Sequence, residues 1–420
     1  MSKKTSLFPM LIIGVLFFIF GFVTWLNGSL IPFLQIICDL SEFEALFVTF
    51  AFYIAYTVMA LPMSYILGKI GYKNAMALGL FIMAVGSLLF IPAALSGAYL
   101  VFLFALFTLA TGLTLLQSAS NPYVVLIGPQ ESAAVRISIM GLLNKFAGVL
   151  APLIFTALIV TESSFGSQRL SDSDIQALTT QLMFPYIVMA LMLFFLMLIV
   201  KLSPLPAIEY EEQDALDTTS IFSYAHTVLG AIALFFYVGI EVIAGDTIGL
   251  YAQSLGLESA TMFTSYTMGF MVLGYLLGII AIARFISQQG ALVVSALLGI
   301  VFIAGVVYSS PSSYAISSFV WGYTTLPLIP DTLFFVALLG LSNALVWPTI
   351  WPLALKGLGR HTPQASALLI MAIAGGALLP LVFGKLSEYL GSMQEAYLLG
   401  LLCYAFILMY GLFWHKKRAW

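Results

Sequence analysis

The sequence predicts an all-α membrane protein: twelve transmembrane helices in two pseudo-symmetric six-helix halves. Three observations carry this. Hydrophobic residues make up 62% of the 420-residue chain, charged residues only 8%, and mean hydropathy is +1.08, whereas soluble domains are about one-quarter charged. Apolar runs long enough to cross the ~30 Å hydrocarbon core recur along the whole chain. The longest polar stretch between runs falls near the middle and divides them six and six.

The runs lie at 8–37, 45–68, 74–93, 98–127, 137–160, 182–203, 222–253, 260–283, 290–309, 331–356, 364–388 and 394–414. They are continuous, not the alternating ten-residue strands of a membrane β-barrel. The first follows Ser2-Lys3-Lys4 without a small-residue cleavage site, so it reads as a retained span and not a signal peptide. The middle stretch carries Glu209, Glu211, Glu212, Asp214 and Asp217 with two prolines. An acidic, proline-containing segment there reads as a linker, 204–220, joining half-domains 1–203 and 221–420.

Lys and Arg set the orientation. With both termini cytoplasmic, the inner segments hold Lys3, Lys4, Lys69, Lys73, Arg136, Lys201, Arg284, Lys356, Arg360, Lys416, Lys417 and Arg418, 12 of the 15 basic residues. Arg169 and Lys385 fall on the outer side, and Lys145 lies within a span. The net charge of −3 adds little. Cys38 and Cys403 read as small core residues, and His226, His361 and His415 sit at segment ends, so neither a disulfide nor a metal site is read from them. A phosphate-loop motif is absent, and no nucleic-acid partner is implied.

The candidate chemistry lies in the few polar groups at bilayer depth, where a charge costs at least ~2.5 kcal/mol and so faces a protein interior or a watery cavity. Three charged residues qualify: Lys145, Glu241 and Asp246. In span four, Gln117 and Asn121 are four apart and share a helical face, and Pro122 leaves the carbonyl of Ser118 without its donor. Such a neutral patch of donors and acceptors suits a polyhydroxylated ligand; interhelical hydrogen bonding is the competing account. In span ten, Asn343, Trp347 and Trp351 follow one face, an aromatic surface for a pyranose or an interfacial belt. Span one holds Asn27 beside Gly28, where another backbone or a ligand can approach closely.

Span seven reads Tyr237-Val238-Gly239-Ile240-Glu241-Val242-Ile243-Ala244-Gly245-Asp246-Thr247. Its two acids are about 140° apart on an ideal helix, so they share a site only if the helix breaks, at Gly239, Gly245 or Gly249. They are candidates for a proton relay, a cation site or an ion pair with Lys145. Gly/Pro-interrupted segments also recur at corresponding places in the two halves: Gly112-Leu113-Thr114 with a break at Pro122, and Gly340-Leu341-Ser342 with breaks at Pro348 and Pro352. Paired interruptions of this kind point to a transporter binding site.

With these motifs in place, the chain resembles the sugar-transporting branch of the major facilitator superfamily, the fucose:proton symporters and more closely the bacterial glucose/galactose transporters. The resemblance rests on Leu116-Gln117 through Asn121-Pro122-Tyr123 with Gly128-Pro129, and on Tyr237-Val238-Gly239 with Glu241-Val242. Further matches are Pro348-Thr349-Ile350, Ala354 to Gly359, Gly375-Gly376-Ala377 and the loop Gly71-Tyr72-Lys73. The departures are specific. The family's span-one Asp, tied to proton coupling, is replaced by Gly28; fucose symporters carry Glu where Gln117 stands. Span five has Ser138 and Gly141 for polar amides and Lys145 for a small residue, and Asp246 replaces a small residue in span seven.

The resemblance implies a non-enzymatic, monomeric, alternating-access transporter of the bacterial inner membrane. Its substrate is expected to be a hexose of the glucose/galactose type, held by Asn27, Gln117, Asn121, Asn144, Glu241, Asn343 and Trp347. Glu241, Asp246 and Lys145 are the coupling or ion-pair candidates. The implied partners are the sugar and the lipid bilayer, with no cofactor beyond a coupling Na⁺ or H⁺. Lys145 and Asp246 are expected to pair across the halves, or Asp246 to ligate a cation. An amino sugar, a polyol or uncoupled facilitation are the alternatives within transport. An enzyme on lipid-linked sugar, resting on Glu131 near Arg136, and a sugar sensor are the alternatives outside it.

Overall fold

A computed structural model describes residues 7–127, 133–159, 172–205, 220–258, 260–358 and 362–420. The described residues form helices and turns with no strand, as a hydrocarbon solvent demands, because a helix satisfies its backbone groups internally. Among the described residues, eleven helical stretches are long and apolar enough to cross a membrane, and one of them, Glu42–Ser96, has 55 residues. Straight, that stretch would reach ~80 Å, more than twice the core thickness. It doubles back at Gly71, whose φ of 74° and ψ of 167° lie outside the helical region, so spans two and three are one hairpin and the described residues make twelve crossings.

The hairpin is recorded in its packing on span four. Tyr99 Oη donates to the Glu44 carbonyl (2.7 Å) and Gln117 Nε2 to Tyr56 Oη (3.0 Å), while the Tyr72 and Tyr123 rings meet at the far end. Beyond the turn the order reverses and Phe90 packs on Phe102. Near the Gly71 turn, the first half is tied by Lys73 Nζ donating to the Ser203 carbonyl (2.6 Å).

Span one is two helices, Leu7–Trp25 and Asn27–Ile37. Span four, expected to break at Pro122, is continuous over Tyr99–Leu126. Span seven, expected to break at a glycine, is continuous over Ala225–Ser254. Span ten does break, but at Ala344–Leu345, between Asp331–Asn343 and Val346–Leu355. The break precedes Pro348 because a proline in the first turn of a helix sacrifices an N–H that has no intrahelical partner there. A short helix, Ala315–Trp321, sits within the 310–330 connection.

The two halves meet on the side away from the termini. Ser29 Oγ donates to the Thr261 carbonyl (2.5 Å), Thr156 and Thr261 hydroxyls lie 2.7 Å apart, and Ser265 Oγ donates to the Val149 carbonyl (2.8 Å). Lys385 Nζ stands 3.8 Å from the Phe43 ring centroid. At the face bearing the termini, bonds among the described residues include Arg418 to Lys356 and Trp420 to Phe222, both within the second half. The body is closed on the face away from its termini. Gly128, Pro129, Glu131, Arg169, Gly359, Arg360, His361 and the acids of the expected linker lie outside the described residues.

Candidate functional site

Span seven is the hub. It is the most deeply enclosed of the long helices, and residues 237 to 252 are buried without interruption. Lys145 of span five donates to Glu241 Oε1 at 2.8 Å, with side chains only 12% and 10% exposed. Its ammonium also lies 4.7 Å from the Trp25 ring centroid, a cation–π contact. Trp25, Lys145 and Glu241 thus join spans one, five and seven across the seam. The indole is seated by glycines on both sides: a Cβ at Gly148 would stand 2.6 Å from it, and one at Gly245 2.4 Å.

The partner of Lys145 is therefore Glu241, and the expected Lys145–Asp246 pair is not formed. The reason is the continuous helix, which keeps the two acids on different faces. Asp246 is fully buried, with Oδ2 3.2 Å from Thr49 Oγ1 of span two and Oδ1 without a hydrogen-bond partner. The expected unwound turn with free carbonyls is also absent. The Ala244 and Gly245 carbonyls instead accept from Thr267 Oγ1 (3.1 Å) and Thr264 Oγ1 (2.7 Å).

The remaining candidates extend outward from span seven. On the second-half side, Trp347 faces Tyr237, one turn before Glu241, with ring centroids 6.3 Å apart, and Trp351 follows at 5.5 Å. Asn343 is 1% exposed; its Oδ1 accepts from Tyr404 Oη (2.9 Å), and its Nδ2 has no partner. The helix break at 344–345 separates Asn343 from Trp347, so the ideal four-residue spacing does not carry between them. On the first-half side, Gln117 bonds Tyr56, whose ring stacks on Tyr53. Tyr53 reaches the second half, where a Cβ at Gly376 would meet both its ring and Val242 at 3.0 Å.

Asn121 is half-buried in span four. Asn144 Nδ2 donates to the Phe17 carbonyl (3.3 Å), which fastens span five to span one. Asn27 is 2% exposed with its Nδ2 unpartnered. Two surface cavities lie outside this cluster. One of about 430 Å³ on the closed face includes Glu42, Tyr251 and Glu388, and one of about 360 Å³ at the termini includes Lys356, His415 and Arg418. Sequence reasoning passed over Trp25, Thr49, Tyr53, Tyr56 and Tyr404 as site neighbours. Aromatic and hydroxyl residues in an apolar span have no periodicity that separates a lining position from a packing one.

Twelve crossings in two halves, with buried polar groups meeting on the seam at mid-depth, are the build of a secondary transporter. The chain belongs to the major facilitator superfamily, whose profile matches residues 13–372. It is 34% identical over 423 aligned positions to the glucose/galactose transporter of Brucella abortus (strain 2308), covering 99% of this chain and 96% of that one. To the L-fucose-proton symporter of Escherichia coli (strain K12) it is 27% identical, covering 98% and 94%. The crystal structure of the major facilitator transporter FucP in the outward conformation superposes with a TM-score of 0.74 at 26% identity, covering 98% of this chain and 99% of that one.

Proposed function

We propose that this chain carries a hexose of the glucose/galactose type across the membrane by alternating access, as an ion-coupled symporter. The observation that carries the reading is the Trp25–Lys145–Glu241 contact, which joins the halves at mid-depth with donors, acceptors and an aromatic face in one place. Its full-length similarity to the Brucella glucose/galactose transporter supports the choice of sugar. The half-domains are 1–203 and 221–420, joined by a cytoplasmic linker 204–220, and the protein works as a monomer in the bacterial inner membrane. With both termini cytoplasmic, the closed face is the outer one.

Sugar enters between the halves. Its hydroxyls are offered Gln117, Asn121 and Asn27 from the first half, and Asn343, Trp347 and Glu241 from the second. The unpartnered amides of Asn27 and Asn343 are donors held ready for an acceptor. Glu241 alternates between Lys145 in the closed form and sugar hydroxyls when the seam loosens. A neutral ligand thereby replaces an ion pair, so Asp246 and Glu241 are the groups left to sense an ion gradient. We read the protein as a carrier, in keeping with its membership of the major facilitator superfamily.

The test is uptake of labelled glucose and galactose into proteoliposomes. Competition by other hexoses, amino sugars and polyols defines the solute, and imposed H⁺ or Na⁺ gradients define the coupling. Accumulation that no sugar competes for would overturn the reading, and accumulation indifferent to both gradients would make the protein a facilitator.

A further inference from the structure

Asp246 has an environment that suits neither a free carboxylate nor a metal ion. It is 0% exposed on the seam between the halves, and its one hydrogen-bond contact is with Thr49 of the opposite half. The two carbonyls nearest in its own helix are taken by threonine hydroxyls. Span one closes the space further: a Cβ at Gly28 would stand 2.1 Å from Thr264 Oγ1 and 2.9 Å from the Gly245 carbonyl. The helix is unbroken, so no ring of oxygens forms there, which removes the Na⁺ site that an unwound turn at Gly245 would supply.

The titratable and charged groups facing Asp246 are few. Span two brings Tyr53, and its own helix brings Glu241, a second acid whose charge Lys145 of span five meets. The groups packed on the neighbouring turn of span seven are not titratable: Gly28 of span one lies against the Gly245 carbonyl, Thr264 and Thr267 of span eight bond the Gly245 and Ala244 carbonyls, and Gly376 of span eleven lies against Tyr53 and Val242. Among the described residues a charge sealed there has no counter-ion, and burying an unpaired carboxylate is among the costliest things a fold can do. The neutral acid fits. Thr49 Oγ1 donates to Oδ2, and a proton on the carboxyl leaves no charge for the sealed site to balance, a far smaller cost than an unpaired carboxylate.

We propose that Asp246 binds the proton that allows the two halves to close on the face away from the termini. The idea rests on the transport reading above and names the ion and the residue for it. The balance is simple: –COO⁻ exposed in the parted seam takes one H⁺ from the water of that face and is buried as –COOH, and the proton leaves when the seam next admits water. Position 28 is part of the same device. The close approach of span one leaves no room for a carboxylate there, and the acid stands across the interface on span seven instead.

The test reads closure directly and needs no sugar, so it can fail while sugar transport stands. Spin labels are placed on cysteines at Leu95 and Tyr389, exposed by 73% and 87% on the closing face of opposite halves, in a background with Cys38 and Cys403 replaced by Ala. Electron-electron distances are measured in acidic and alkaline buffer. The expected result is a short-distance population that grows as pH falls, and in the Asp246→Asn variant a large short-distance population that is the same at every pH. Asp246→Asn retaining the pH response of the parent overturns the proposal, as does a parent whose distances ignore pH. Should Asp246→Asn fail to fold, Thr49→Val serves instead. Loss of this hydrogen bond across the seam should shrink the closed population in acid severalfold, and an unchanged titration overturns the proposal.

Discussion

Lys145 and Glu241 show why a deep ion pair is better judged by its removal than by its presence. Taking two charges out of water costs nearly what their attraction returns, so an apolar replacement of both can be neutral, while removing one leaves the other stranded. Lys145→Met should therefore lower the thermal stability of the detergent-solubilised protein by about 3 kcal/mol, and the Lys145→Met, Glu241→Gln double variant should recover most of it. A double variant as unstable as the single one would mean that Lys145 acts through Trp25 and not through Glu241. Function reads the acid separately. Glu241→Gln keeps the shape but loses the charge-assisted acceptor, worth about 1.5 kcal/mol or more, so equilibrium sugar binding should weaken by about tenfold. At this scale the sequence exposed which residues matter, because charges at bilayer depth are rare. It did not expose which pairs form, because spacing along one helix says nothing about the rotation of another.

Helices explain the misread breaks. Gly239, Gly245 and Gly249 were legible as weak points in span seven, since glycine costs ~1 kcal/mol in a helix. In the structure each sits beneath another element: Leu379 over Gly239, Trp25 over Gly245 and the Ala260 carbonyl over Gly249. Small residues in a membrane helix serve close packing, and a sequence cannot separate that use from a hinge without the neighbouring helix. The prolines of span ten marked a real interruption but displaced by a few residues, because Pro348 sits in the first turn after it. Gly28 carries the same lesson into a prediction. Gly28→Ala places a methyl group against Thr264 and the Gly245 backbone and should cost about 1–3 kcal/mol as overpacking. Thermal melting in detergent checks it, and a variant as stable as the parent would show that spans one and seven separate without strain.

The whole molecule was legible in outline. Twelve crossings, the hairpin loop at Gly71 and the even split follow from hydropathy, because lipid admits only helices here. Which face is closed was not legible, since one sequence serves every state of the cycle and only the seam contacts record the state adopted. Those contacts give the final prediction. Thr156 of the first half and Thr261 of the second have hydroxyl oxygens 2.7 Å apart, close to the ~2 Å separation of disulfide sulfurs. Cysteines at both positions, with Cys38 and Cys403 replaced by Ala, should cross-link readily under mild oxidant. The bond would pin the closed face shut, so labelled-sugar uptake should fall to background and return when a reductant is added. Binding from the opposite face should persist, because the link lies far along span five from Lys145, toward the closed end. Cross-linked protein that still takes up sugar would show that the halves do not part at this face during transport, and alternating access about the Lys145–Glu241 seam would fall with it.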